Sequence, residues 1–165
     1  MPEWRALLLV VAANAAPVIA SKLARNGASA PLDFGYVLPD GERLFGAHKT
    51  WRGLLVGTAA CALVAGVMGV PAWIGVGFGA VSLLGDALSS ALKRRLHLPP
   101  GREAPVLDQF GEAFLPLAVF ARPLGLQLSD ILIVTAIFFV LDVLATPLRQ
   151  RRWFNGASRE DCDAG

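Results

Sequence analysis

The residues best suited to chemistry lie in one stretch of the chain, residues 85–109, where carboxylates and cations are interleaved. Asp86, Ser90 and Lys93 are spaced at i, i+4 and i+7, so a helix would present all three on one face. Asp108 follows after a turn rich in proline and glycine. Carboxylates beside lysines and arginines suit a metal-bound polyphosphate better than they suit packing. We therefore expect a polyphosphate site here.

The position of Asp86 within an apolar run strengthens this interpretation. On a helix it would lie about two turns, roughly 10 Å, from the basic residues that close the same run. Placing an ionised carboxylate in lipid costs about 2.5–3.5 kcal/mol on insertion scales, so such residues are functional candidates. The alternative is a structural ion pair with a neighbouring lysine or arginine.

The composition indicates a membrane protein. Of the 165 residues, 55% are hydrophobic and 17% are charged, with a mean hydropathy of +0.54, whereas a soluble domain is about a quarter charged. Runs that approach the roughly 20 residues of a membrane-crossing helix cover residues 6–20, 53–70, 72–92 and 131–147. A fifth run, 109–128, is interrupted by Glu112, Arg122 and two prolines. Because open sheet edges cannot be satisfied in lipid, we predict an all-α integral membrane protein with about five transmembrane helices.

The basic residues predict its orientation. With five spans and the N-terminus outside, all but two of the 15 lysines and arginines fall on one face, the exceptions being Arg5 and Arg122. That face is then cytoplasmic, as is the C-terminus. Omitting the interrupted fourth span would weaken this asymmetry, so the charges support it. We predict one domain over residues 1–152 and a polar, disordered tail over 153–165.

A second polar group precedes the second apolar run. Thr50 is a suitable N-cap for a helix that begins there, which would bring Lys49, Arg52 and free backbone N–H groups together as an anion site. Alternatively, Lys49 and Arg52 only anchor the helix among lipid headgroups, with Trp51 as an interfacial ring. The glycines and alanines of this second run predict close helix packing.

Polar residues also interrupt the first and last runs. Asn14, with the carbonyl freed by Pro17, either lines a polar cavity or belongs to a packed kink. Asp142 either lines the same cavity or pairs with Arg122 or a hydroxyl. The two cysteines are too few and too badly placed for a disulfide framework or a zinc site.

Several segments together resemble the CDP-archaeol synthases, which are relatives of the phosphatidate cytidylyltransferases. The segments are Asn14-Ala15-Ala16-Pro17, Pro31-Leu32-Asp33-Phe34-Gly35, Asp40-Gly41, Gly46-x-x-Lys49-Thr50-Trp51-Arg52-Gly53, Gly85-Asp86-x-x-Ser89-Ser90-x-x-Lys93-Arg94-Arg95 and Pro105-x-x-Asp108-Gln109. Their order and the length of the chain agree with that family over nearly the whole chain, except for the tail after about residue 152. The His-Gly-Gly and Asp-Arg-x-x-Asp motifs of the wider cytidylyltransferase signature are absent, so the bacterial phosphatidate enzyme is a poorer match.

The resemblance implies a multi-pass enzyme of the cell membrane that uses CTP and Mg²⁺. It would convert an archaetidate-like lipid phosphate into a CDP-lipid and release pyrophosphate. Diacyl phosphatidate is the alternative substrate, and a small membrane transporter or a structural subunit is the alternative class. No nucleic-acid partner is expected. A phosphomonoester is already largely dianionic, since its second pKa is about 6, so the reaction needs cations and alignment rather than a protein nucleophile.

The expected roles follow from this chemistry. Asp86 and Asp108 would hold Mg²⁺ and, with Lys93, form the catalytic set. Lys93 and Arg94 would bind the triphosphate. Lys49, Thr50 and Arg52, just before and at the start of the second apolar run, would bind the lipid phosphate or share the pyrophosphate. The predicted substrate-binding residues are Asn14, Lys49, Thr50, Arg52, Ser90, Arg94 and, by the resemblance alone, Gln109.

Overall fold

The computed structural model describes residues 2–24, 29–46, 48–98 and 104–160. Its α-helices are α1 (Pro2–Leu23), α2 (Trp51–Val67), α3 (Ala72–Arg95), α4 (Pro105–Gln109), α5 (Leu115–Val119), α6 (Ala121–Leu124) and α7 (Leu128–Glu160). A π-helical segment, Phe110–Phe114, joins α4 to α5. Pairing of β type in these residues is limited to two isolated bridges. The predicted all-α class is confirmed.

Three of the described helical stretches are long and apolar enough to cross a membrane: α1, α3 and the Leu128–Ala145 part of α7. Helix α2 is apolar but has only 17 residues. The predicted fourth span is not one continuous α-helix. It consists of α4, the π-helical segment and α5 in succession, with Pro116 in the first turn of α5. These three segments are called the fourth element below. Helix α7 continues past residue 152, and residues 161–165 lie outside the described part. The count of five spans, the orientation and the tail remain predictions.

Helices α2 and α3 pack closely because small residues face each other. A Cβ atom added at Gly75 would lie 2.5 Å from the Cys61 carbonyl oxygen, and one added at Gly79 would lie 2.9 Å from the Thr58 Cα. Real Cβ atoms essentially never approach to under 3.0 Å, so only glycine permits this spacing. The close packing predicted for the second run is confirmed. Around this pair the core is apolar, with Leu9 and Phe78 fully buried.

The loop between α1 and α2, residues 29–46 in the described part (called the α1–α2 loop below), is organised by one aspartate. The side chain of Asp33 is 0% exposed. Its carboxylate accepts a 2.7 Å bond from Arg43 Nη2 and bonds from the backbone N–H groups of Gly35, Phe45 and Gly46 at 3.0, 3.2 and 3.3 Å. Burial acts to raise the pKa of Asp33, but these donors outweigh it and lower the pKa from 3.8 to about 2.

This lowered pKa predicts how Asp33 contributes to stability as the pH changes. Because the folded pKa lies below the unfolded one, the contribution is complete above about pH 4 and is lost as the pH falls through about 2. The Tm difference between wild type and Asp33→Asn should therefore be constant from about pH 5 to 8 and should shrink towards pH 2. Thermal unfolding followed by circular dichroism in detergent measures it. A Tm difference that stayed constant down to pH 2 would contradict this account.

Candidate active site

Helix α3 carries several of the polar residues of the site, and the fourth element crosses it at very short range. A Cβ atom added at Gly85 would lie 2.2 Å from the Gly111 carbonyl oxygen. On either side of this crossing, Ser82 Oγ donates to the Glu112 carbonyl at 2.6 Å and Ser89 Oγ donates to the Leu107 carbonyl at 2.9 Å. The crossing therefore holds the acidic residues of the fourth element against the polar face of α3.

One result of the crossing is a contact between Lys93 and Asp108. Lys93 Nζ donates to Asp108 Oδ1 at 2.6 Å, and the two side chains are only 12% and 18% exposed. The second carboxylate oxygen of Asp108 accepts a 3.2 Å bond from the Ala104 backbone N–H. The structure thus brings together two of the three residues predicted to be catalytic.

The third predicted catalytic residue, Asp86, forms an ion pair with Lys49, whose Nζ donates to Asp86 Oδ2. These residues are 37 positions apart in the sequence. The pair satisfies the expectation that Asp86 faces a cation. It also shows that the Lys49 side chain points towards α3.

The N-terminus of α2 agrees only partly with the predicted anion site. Thr50 is the N-cap, as predicted, and its Oγ1 accepts a 3.2 Å bond from the Gly53 N–H. However, the N–H groups that were expected to be free are occupied. That of Trp51 donates to the Ala30 carbonyl at 3.1 Å, and that of Arg52 donates to Ser29 Oγ at 3.3 Å. An anion at this end would therefore be held by side chains rather than by the backbone.

Glu112 is a member of the site that the sequence analysis missed. Its carboxyl lies close to the carboxyl of Asp86 in the same cavity, and Lys49 and Asp108 are close enough to act on it electrostatically. Two carboxyl groups in contact repel each other when both are ionised, so they attract a proton or a cation between them. One signal was available in the sequence: Glu112 is four residues after Asp108, the spacing that places two side chains on one helical face.

The carboxylates fit a magnesium site that is completed by a ligand. Within the described residues, no three His, Cys, Asp or Glu side chains are grouped closely enough to hold a metal ion by themselves. Mg²⁺, however, is usually bound by one or two carboxylates, with phosphate oxygens and water as its other ligands. Asp86 and Glu112 provide two carboxyl groups in contact. The donor set therefore suits Mg²⁺ that arrives with a polyphosphate.

A cavity of about 550 Å³ adjoins this group. Its polar residues are Asn14, Lys49, Asp86, Glu112 and Asp142. Its other lining residues, from α1 and α7, are apolar: Val11, Ala15, Val18, Ile19, Phe138, Leu141 and Ala145. A cavity with an ionic end and apolar walls suits an amphipathic ligand that has an anionic headgroup.

The first span was predicted either to line a polar cavity or to form a packed kink, and the structure shows part of each. Asn14 lines the cavity, and its Nδ2 donates to the Val10 carbonyl at 3.0 Å. Pro17 packs against α2, because a Cβ atom added at Gly57 would lie 3.0 Å from Pro17 Cγ. Asp142 lines the same cavity, which agrees with the first of the two alternatives for that residue.

The remaining predicted residues do not line this cavity. Ser90, Arg94 and Gln109 are each more than nine-tenths buried in the helix contacts of α3 and α4. Gln109 Oε1 has no hydrogen-bond partner within the described protein. Lys93 and Asp108 are also outside the residues that line the cavity, although Asp108 acts electrostatically on Glu112. The polar residues thus form two neighbouring ion pairs, Lys49–Asp86 and Lys93–Asp108, with Glu112 close to both.

Comparison with known proteins identifies the family. The family described as CarS-like, CDP-archaeol synthase, matches residues 5–76 and 68–148. The chain belongs to this family. It is 34% identical over 151 residues to the CDP-archaeol synthase of Pyrococcus furiosus. The aligned region covers 83% of this chain and 87% of that protein. It is 39% identical over 135 residues to the CDP-archaeol synthase of Methanopyrus kandleri, covering 74% and 78%.

A solved structure agrees with the family membership. This structure, of an intramembrane enzyme for archaeal membrane lipid biosynthesis, has a TM-score of 0.70 and 36% identity, and the match covers 86% of this chain and 90% of that one. The resemblance inferred from the motifs is confirmed, as is the enzyme class. As a member of the CDP-archaeol synthase family, the chain is a membrane-embedded lipid cytidylyltransferase rather than a transporter or a structural subunit.

Proposed function

We propose that the chain transfers a cytidylyl group from CTP to archaetidate in a Mg²⁺-dependent reaction that yields CDP-archaeol and pyrophosphate. A phosphate oxygen of the lipid attacks the α-phosphorus of CTP, a new P–O bond forms, and the bond to the β-phosphate breaks. The observation that carries the proposal is the cavity that joins Lys49, Asp86 and Glu112 to apolar walls. Its ionic end suits phosphates and a cation, and its apolar walls suit lipid chains.

The side chains act by binding and alignment. No serine, cysteine or histidine is among the described residues that line the cavity, and a dianionic phosphate needs no protein nucleophile. Lys49 and Lys93 neutralise phosphate oxygens, which requires each to exchange its carboxylate partner for substrate. The released carboxylate of Asp86, with Glu112, would then hold Mg²⁺, and the released carboxylate of Asp108 would lie near Glu112. When bound, the ion supplies positive charge to the phosphates at the point of attack.

The lipid is expected to lie between α1 and α7. At this seam Ile19 lines the cavity and is 55% exposed, so the apolar wall reaches the outer surface of the bundle. A lipid could therefore enter sideways from the bilayer, with its phosphate near Lys49 and Asn14. The apolar side chains provide no contact that distinguishes ether-linked from ester-linked chains. Archaetidate is chosen because the relatives are CDP-archaeol synthases.

We also propose that the reaction takes place at the cytoplasmic side of the cell membrane, in a bundle of five spans with the N-terminus outside. Lys93, Arg94 and Arg95 occupy the last turn of α3, and the α1–α2 loop with its own basic residues lies at the same end. The positive-inside rule makes this end cytoplasmic. CTP is then available directly from the cytosol.

The direct test incubates purified protein in detergent with CTP and Mg²⁺, adding either archaetidate or diacyl phosphatidate, and detects products by mass spectrometry. We expect CDP-archaeol and an equal amount of pyrophosphate. Chelation with EDTA should abolish both products, and added Mg²⁺ should restore them. If only the CDP-lipid of diacyl phosphatidate forms, diacyl phosphatidate replaces archaetidate as the proposed substrate. Folded protein that forms neither CDP-lipid would refute the proposal.

A further inference from the structure

Arg95, the last residue of α3, contacts the α1–α2 loop. Its Nη1 lies 3.0 Å from Asp40 Oδ2, and its Nη2 donates to the Arg43 carbonyl oxygen at 3.0 Å. Both partners belong to the α1–α2 loop, whereas Lys93 contacts Asp108 of α4. The planar guanidinium can make two such bonds in a defined geometry, which an ammonium cannot. Arg95 therefore joins the end of α3 to the loop.

The loop transmits this contact to Lys49 through its own hydrogen bonds. Arg43, whose carbonyl binds Arg95, donates its guanidinium to Asp33, and Asp33 in turn binds the Gly46 N–H. The Gly46 carbonyl accepts from the Lys49 N–H at 3.3 Å, and the Lys49 carbonyl accepts from the Leu32 N–H at 2.8 Å. The backbone of Lys49 is thus held on both sides by the loop that Arg95 anchors.

We propose that Arg95, paired with Asp40, is a positioning residue: it holds the α1–α2 loop on the end of α3 so that Lys49 stays opposite Asp86. This inference rests on the proposed function, because Lys49 is assigned there to the substrate phosphates. The Arg95 and Asp40 side chains are 32% and 33% exposed, and ion pairs with such access to water contribute little to overall stability. Removing the pair should therefore displace the loop without unfolding the bundle.

The first set of variants is Arg95→Ala, Asp40→Ala and the double variant, with Arg122→Ala as the control. Arg122 is an exposed arginine of α6 that the site does not use. We expect kcat/KM for CTP to fall between about tenfold and a hundredfold in each single variant, the loss that a small misplacement of a reacting group produces. The double variant should lose no more than Arg95→Ala alone, because Arg95→Ala already breaks the contact that Asp40→Ala removes. The Tm values and the Arg122→Ala kinetics should match wild type.

Two further measurements separate positioning from other roles. Arg95→Lys can restore only one of the two bonds and should recover part of the activity. Limited proteolysis within the α1–α2 loop should be faster in Arg95→Ala and in Asp40→Ala than in wild type. A loss of activity in Arg95→Ala without faster proteolysis of the α1–α2 loop would overturn the proposal and indicate direct contact with substrate. A large fall in Tm would overturn it in favour of a structural role.

The outcome for wild type separates this inference from the proposed function. If wild type forms no CDP-lipid, the proposed function fails, but the proteolysis comparison still tests whether Arg95 holds the loop. If wild type is active and the single variants equal it in both kinetics and proteolysis, the positioning role fails and the proposed function stands.

Discussion

Asp86→Asn is expected to lower kcat/KM by at least about 10³-fold, which is roughly 4 kcal/mol in activation free energy. The change removes one negative charge from a pair of carboxyl groups that attracts a cation, and it leaves the Lys49 ammonium facing a neutral amide. Both consequences weaken the alignment of two polyanions, which is the main task of this site. Steady-state formation of CDP-lipid, measured by mass spectrometry, gives the effect.

Asp108→Asn should have an effect of the same order, because Asp108 holds Lys93 and lies near Glu112. The matched control is Asp130→Asn. Asp130, in the first turn of α7, accepts a 2.8 Å bond from the Gln127 N–H, and the side-chain oxygen of an asparagine can accept the same bond. All three proteins should insert into membranes and melt near the wild-type temperature. Near-normal turnover by Asp86→Asn or by Asp108→Asn would remove that carboxylate from the catalytic set.

The parts of the fold that depend on one continuous stretch of sequence were predictable. Hydropathy located α1, α3 and α7 because an apolar run near the thickness of a bilayer has few alternatives to a helix. The cap of α2 at Thr50 was predictable for the same local reason, since the type of one residue determines whether it can accept from the helix N-terminus. The spacing of Asp86 and Lys93 likewise indicated a shared polar face.

The parts that depend on distant contacts were not predictable. The Lys49–Asp86 pair joins residues 37 positions apart, and no periodic pattern specifies which carboxylate a lysine will reach. The backbone N–H groups at the start of α2 looked free because their acceptors, Ser29 and Ala30, are supplied by a loop that folds back on them. Glu112 looked like an interruption because the crossing and the π turn that bring it to Asp86 have no hydropathy signal.

Gly85→Ala is expected to impair both activity and stability, because it acts on the crossing that assembles the site. The added Cβ would lie 2.2 Å from the Gly111 carbonyl oxygen and 2.8 Å from its carbon. These are backbone atoms, so no side chain can rotate away, and the fourth element must move by on the order of 1 Å. Overpacking of this kind costs about 1–3 kcal/mol. A displacement of this size also lowers turnover by roughly 10²-fold, because the 2.6 Å Lys93–Asp108 contact would lengthen.

The control for this prediction is Gly66→Ala on α2, where an added Cβ meets nothing within 4 Å. There alanine should be neutral or stabilising by up to about 1 kcal/mol, since glycine is the poorer helix former. Gly111→Ala should reproduce the defect from the other side, because its Cβ would lie 2.4 Å from the Gly85 carbonyl oxygen. Thermal unfolding and CDP-lipid formation are measured together. Wild-type values for Gly85→Ala in both would show that the fourth element does not cross α3 at this distance, and the crossing could no longer explain how Glu112 comes to lie near Asp86 and Asp108 near Lys93.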